Sequence, residues 1–179
     1  MSFAAGQLPN ALGILAACHL ENCDKCKPKV RMYEQLGAEL MDKTPSVKMR
    51  RGALNTILNR LDSDLLDTPP APFLGDPRTP KPLQRFLPEY LNKLAWGGFS
   101  SSIKEFSLPI SDEVYTAKLY KISAGKELPI HTHKGNEFTL VMDGSFSDSA
   151  GEYHQGDFIL ADPHTVHQPK AAETSDCIC

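Results

Sequence analysis

No stretch of this chain approaches the roughly 18 consecutive apolar residues that a membrane-spanning helix needs, and the N-terminus lacks a charged-then-apolar leader, so the sequence predicts a cytoplasmic protein that neither crosses nor coats a membrane. An excess of positive charge is missing too. The formal net charge of -3 gives no electrostatic reason for nucleic acid to be the direct partner. Disulfide spacing is also absent. The cysteines sit at the two ends, Cys18, Cys23 and Cys26 at one and Cys177 and Cys179 at the other, and close spacing beside a histidine in a reducing compartment argues for metal ligation over cross-linking. There is no internal repeat of fixed period and no low-complexity tail. What is present, 179 residues with 41% hydrophobic and 23% charged side chains, suffices for one large globular domain or two small ones.

The most informative stretch runs from Gly125 to Gly144, GKELPIHTHKGNEFTLVMDG. Side chains alternate along a strand, so His131 and His133 point to one side. Lys134, Gly135 and Asn136 read as a tight turn that lets Glu137 open the next strand near both imidazoles. His167 lies further on, in GDFILADPHTVHQP, and is a fourth candidate. Three imidazoles and a carboxylate suit zinc, or iron or manganese where positions on the metal stay open. His164, after Pro163, and His154, after Tyr153, read as turn residues and not as ligands.

Taken from its start, the chain shows a helix stop at Gly6 and a helix start at Pro9. A helix from Pro9 to about Asn22 places Leu12, Leu15, Ala16, His19 and Cys23 on one face. A second is expected from about Asp24 to Met41, with Pro28 in its first turn, and a third between Val47 and Leu66 on the stripe Leu54, Ile57, Leu58, Leu61, Leu65. The basic run Lys48 to Arg51 falls near the start of that third helix and reads as a solvated face.

Residues 67–88 then hold half of the 14 prolines, which predicts a stiff extended connector and a domain boundary. A short helix around Glu89 to Leu94 follows it. Beyond Trp96, short runs rich in aromatic and β-branched residues, at Ser102–Leu108, Tyr115–Ser123, Glu137–Met142 and Asp157–Ala161, indicate an antiparallel sandwich or barrel. The fold class is therefore α + β in two domains: a helical bundle over 1–66, a linker over 67–88, and an antiparallel β-barrel over 89–179.

A second constellation, His19-x3-Cys23-x2-Cys26, lies on the helices. His19 and Cys23 are one turn apart, and Cys26 closes on the same ion where the next helix begins. Cys18 points about 100° away around the helix and reads as a small buried hydrophobe. A closed zinc site needs a fourth donor, and none is evident nearby.

Together, GKELPIHTHKGNE and GEYHQGDFILADPHTVH resemble the two motifs of the cupins, a jelly-roll-like fold, and HLENCDKC ahead of them resembles a zinc-binding anti-sigma domain. That pair in this order resembles the ChrR-type anti-sigma factors of bacteria over nearly the whole chain. The resemblance implies a non-enzymatic regulator that sequesters an ECF-type sigma factor through its helical domain. It implies release under oxidative stress such as singlet oxygen, for which the cupin-like domain is needed. It also implies two zinc sites, one at His19, Cys23 and Cys26 and one at His131, His133, Glu137 and His167. The family's fourth helical ligand is a histidine that would precede Met1. With the half-helix at Met1–Ala5 and the strand-like end at Cys177–Cys179, this suggests a chain clipped at both ends and an incomplete helical site.

The competing reading is a metal-dependent cupin enzyme of the oxygenase type, with the helices as a dimerisation arm. Beyond the ligands, only Tyr153 and His164 offer themselves as acid or base, so no catalytic residue is assigned. A homodimer stays open.

Overall fold

The computed structural model describes residues 1–61, 76–87, 90–98, 100–110 and 112–179. Leu65 of the third helical stripe, Leu66 at the expected end of that helix, Pro69, Pro70, Pro72 and Pro88 of the proline-rich stretch, and Glu89 at the expected start of the short helix lie outside the described residues.

The chain begins with one turn, in which the Ala5 N–H donates to Met1 O at 3.1 Å. Gly6, at φ +64°, ends it: its N–H bonds Phe3 O at 3.0 Å and the next, on Gln7, bonds Ser2 O at 2.9 Å. Those two bonds are the Schellman cap that glycine favours, as the sequence predicts. Helix α1, Asn10–Asn22, starts where expected, with Gly13 N–H closing on Pro9 O. Its Ala11 N–H has no partner within the helix and donates instead to Asp112 Oδ2, 2.7 Å away and 101 residues on.

One face of α1 goes into a core. Cys18 is buried with Leu83, Leu87, Leu91, Leu94, Leu119, Leu140, Met142 and Ile178, and Ile14 and Leu15 pack against them. This confirms Cys18 as a small buried hydrophobe, and burial pushes its thiol pKa up to about 12. Lys81–Gln84 forms the short helix α4 of the chain's helical set once α2, Cys26–Asp42, and α3, Ala53–Leu61, are counted. Pro82 falls in its first turn, where the missing N–H costs nothing. The part of the proline-rich stretch that is described is thus not an extended connector. It holds a turn at Asp76–Thr79 and α4, and the Leu91–Lys93 turn of 3-10 helix follows.

Helices α2 and α3 bury none of their residues. Met32, Leu36 and Leu40 on α2 and Leu54, Ile57, Leu58 and Leu61 on α3 repeat at helical spacing, yet all are between 46% and 62% exposed. The third helix starts at Ala53 and not at Val47, so Lys48 to Arg51 precede it. Gly52 sits at φ +84°, outside helical space, and the helix dipole disfavours cations in a first turn.

The remaining elements are strands: β1 Ile103–Ser107, β2 Lys118–Ile122, β3 Glu137–Leu140, β4 Ser145–Asp148, β5 Gly151–His154, β6 Phe158–Ala161, β7 Lys170–Ala171 and β8 Cys177–Ile178. Among the described residues all pairings are antiparallel, in three sheets ordered β1-β2-β8, β3-β6 and β5-β4-β7. β1, β2, β3 and β6 agree with the sequence reading, as does β8 at the strand-like end; the β4–β5 hairpin and β7 are new. His154 accordingly ends a strand and does not sit in a turn. Gly144 links β3 to β4 at φ +73°, where any Cβ would collide with the Asp176 carbonyl oxygen before β8. A second core lies between the sheets, with Ile122, Val141, Phe146, Ala171 and Cys177 buried.

Candidate metal centres

The first centre is built on an isolated antiparallel bridge, not on a continuous strand. His131 and His167 each donate a backbone N–H to the other's carbonyl, at 3.1 and 3.2 Å. His133 follows two residues later, before the Lys134–Asn136 turn that leads into β3. The Nε2 atom of His167 lies 3.1 Å from that of His131 and 3.0 Å from that of His133.

The opposite nitrogens explain why this arrangement fits a cation. His131 Nδ1 lies 2.8 Å from Pro129 O, and His167 Nδ1 lies 3.1 Å from Asp148 Oδ2. Carbonyl and carboxylate oxygens only accept, so in neutral rings both Nδ1 atoms carry the proton. His133 Nδ1 lies 3.4 Å from Glu137 Oε2, an ion-pair distance without hydrogen-bond geometry. The Nε2 lone pairs of His131 and His167 therefore face each other at 3.1 Å, which is repulsive unless a positive ion stands between them. His131, His133 and His167 offer ligand atoms within 4.8 Å of one another. Glu137 is placed differently: its carboxylate rests at the Nδ1 edge of His133 and accepts a bond from Thr139 Oγ1 at 3.3 Å.

Asp148 is the residue that the sequence reading missed. Its side chain is 5% exposed, on β4, and it orients His167 as carboxylate partners of metal-bound histidines do. The only sequence signal is an aspartate in the polar run SFSDSAG. Behind the histidines a cavity of about 1040 Å³ extends between the sheets to α1.

The second centre is His19, Cys23 and Cys26, whose ligand atoms also lie within 4.8 Å of one another. The end of α1 supplies the first, the inter-helix turn the second, and the start of α2 the third; Cys26 and Lys27 N–H both bond Cys23 O at 3.2 Å. His19 Nδ1 donates to Gly156 O at 2.7 Å, which leaves Nε2 as the acceptor, 3.4 Å from Cys26 Sγ. The two thiols are hydrogen-bonded to each other, which holds Cys23 below and Cys26 above the ordinary thiol range. Two thiolates and an imidazole are a zinc donor set, and no fourth donor joins them among the described residues. Sequence gives no hint of the Gly156 carbonyl, because a backbone atom leaves no mark in residue type.

The other candidates stay apart from both centres. His164 lies in the Asp162–Thr165 turn, its N–H bonded to Asp162 Oδ1, and His154 is exposed beside Glu152. Among the described residues no helix is long and apolar enough to cross a membrane.

Residues 90–179 match the family model described as the ChrR cupin-like domain. The chain is similar to the anti-sigma-E factor ChrR of Cereibacter sphaeroides, with 33% identity over 178 residues, covering 99% of this chain and 83% of the relative. It is likewise similar to the crystal structure of Rhodobacter sphaeroides SigE in complex with the anti-sigma ChrR. There the TM-score is 0.87 at 32% identity, covering 99% of this chain and 91% of that one.

Proposed function

From its membership of the ChrR anti-sigma factor family, we propose that this chain is a cytoplasmic transcriptional regulator, not an enzyme, that sequesters an ECF-type sigma factor. The observation that carries this is the pair of unpartnered apolar stripes on α2 and α3. Helices of 17 and 9 described residues, none of them fully buried, draw little stability from their own chain, because isolated helices of such length are marginal in water. A sigma factor laid over Met32, Leu36 and Leu40 and over Leu54, Ile57 and Leu58 buries both stripes, in the helix-in-groove manner.

His19, Cys23 and Cys26 hold the end of α1 against the start of α2, and so set the direction in which α2 leaves. A zinc ion there supplies a cross-link whose binding energy is folding energy. His131, His133 and His167 hold a second metal, zinc in our reading, with iron or manganese as the other ions this donor set takes. Glu137 is the fourth donor, its carboxylate turning from the edge of His133 towards the Nε2 atoms. The helical residues 1–66, the linker 67–88 and a closed cupin barrel over 89–179 form the two-domain division of labour, with sigma binding in the first. The second is required for release under oxidative stress.

The test is co-purification of the full chain with a cognate ECF-type sigma factor, with bound metal counted in the same sample. A one-to-one complex is expected, and failure of the zinc-loaded chain to bind any such factor overturns the proposal. If Cys23→Ser with Cys26→Ser leaves binding intact, the helical zinc has no part in inhibition. If His131→Ala with His133→Ala still releases sigma normally under stress, the second metal has no part in the response.

A further inference from the structure

The cavity of about 1040 Å³ belongs neither to the sigma-facing stripes nor to the two ligand sets alone. It exceeds the roughly 300–1,000 Å³ of ordinary small-molecule sites. One end is the cluster of Nε2 atoms of His131, His133 and His167; another wall is α1, through Leu12, Ile14 and Leu15; Phe138 and Ile159 line the sheet side. The metal-ligating nitrogens thus open onto a cavity lined by many apolar side chains, with Lys118 and Tyr120 also on its wall.

A cation held by three neutral imidazoles keeps its full positive charge and favours an anionic ligand. The carboxylates beside those rings, Asp148 at His167 Nδ1 and Glu137 at His133 Nδ1, both lie at the Nδ1 edges and not among the Nε2 atoms. Tyr120 also lines the cavity, and burial raises its phenol, so it stays a neutral O–H donor.

We propose that this cavity binds a monocarboxylate with an extended apolar body, the carboxylate at the metal of His131, His133 and His167 and the body along Leu12 and Leu15 of α1. The ligand carboxylate takes the coordination position that Glu137 otherwise fills, one oxygen donor replacing another with no change of oxidation state. Its body reaches the helix that carries His19, so occupancy bears on the element joining the two centres. This rests on the metal reading of the histidine centre and not on sigma binding.

The test loads the full chain with Co(II) and titrates it with straight-chain carboxylates. Decanoate is expected to shift the visible bands of imidazole-bound cobalt, and affinity to rise roughly tenfold for every two methylenes from hexanoate upward. Decanol, which lacks the anionic head, leaves those bands unchanged. Leu12→Glu is expected to weaken decanoate at least tenfold; the unshifted cobalt spectrum of that variant before ligand shows that it has folded. No spectral response to decanoate overturns the proposal, as does an equal response to acetate or undiminished affinity in Leu12→Glu. Absence of imidazole-bound cobalt from the start overturns the metal reading itself, which keeps the two failures distinguishable.

Discussion

His131 and His167 face each other across a single antiparallel bridge, exchange both backbone hydrogen bonds, and bring their Nε2 atoms to 3.1 Å. The bridge fixes two Cα positions 36 residues apart in sequence, and each Nδ1 then fixes its ring through Pro129 O or Asp148 Oδ2. Position comes from the backbone and orientation from the second nitrogen. The centre is therefore preorganised, and its weak points are the orienting partners as much as the ligands.

Asp148→Asn tests that division. Asparagine keeps the shape but removes the charge that faces His167 Nδ1, and metal affinity of the histidine centre is expected to fall about 10–100-fold. Competition against a chelator of known affinity measures it. Unchanged affinity means that the ring is held by its backbone bridge alone.

Leu58→Asp tests the α3 stripe. Leu58 is 46% exposed in the free chain, so stability is expected to change by no more than about 0.5 kcal/mol. Loss of an apolar anchor from an interface costs about 2 kcal/mol or more, so affinity for the sigma factor should drop at least thirtyfold. Calorimetric titration and thermal unfolding of the same sample separate the two effects.

Alkylation at pH 8 reads the cysteine environments. The Cys18 thiol, buried and raised to about 12, is expected to stay unmodified until the chain unfolds, whereas Cys23, lowered by its bond from Cys26, reacts first in metal-free protein. Zinc should protect Cys23 and Cys26 together. Peptide mapping by mass spectrometry checks the order, and early labelling of Cys18 contradicts the packing of α1 on α4.

The pH dependence of stability has one clear contributor in Asp76, 6% exposed, whose carboxylate accepts from Arg78 Nε at 2.9 Å and Nη2 at 2.7 Å. Hydrogen bonding to Arg78 holds its pKa below the ordinary 3.8. A depressed folded-state pKa contributes stability that is present above the unfolded value and lost as pH falls through the folded one. Because Arg78 is itself half-exposed, Asp76→Asn should cost only about 1–2 kcal/mol at pH 7. Denaturant unfolding should show that gap narrowing by pH 3.

How far these features were legible in the sequence follows from how local they are. His131, His133 and the glycine turns on either side lie within 20 residues, and the α1 and α2 boundaries follow from Pro9 and the Cys23–Cys26 turn, so short-range rules sufficed. The β4–β5 hairpin escaped because Ser145, Ser147, Gly151 and Glu152 mask the alternation of the inward Phe146 and Tyr153. Asp148 acquires its role only when β4 passes beneath His167. Periodicity starts the third helix too early because Gly52 looks unremarkable until its φ is known. That the α2 and α3 stripes stay uncovered is a matter of tertiary contact, on which periodicity is silent.

His19 joins the two centres. Its Nε2 faces Cys26 and its Nδ1 holds Gly156 O, while its ring lies edge-on to Phe158, with centroids 5.8 Å apart. Phe158 in turn meets Phe138 at 6.0 Å, the neighbour of Glu137. A ring fixed at the helical centre is thus packed in series with the strand that opens beside the histidine centre. Coupling between distinct sites amounts to about 1–3 kcal/mol, so zinc at the helical centre should bind roughly tenfold more weakly when His131→Ala with His133→Ala empties the other. Phe158→Ala should erase most of that difference by removing the intervening ring. Chelator competition in the four backgrounds measures it. If the wild-type chain and the histidine variant bind helical zinc equally, the two centres are energetically independent, whatever their contact.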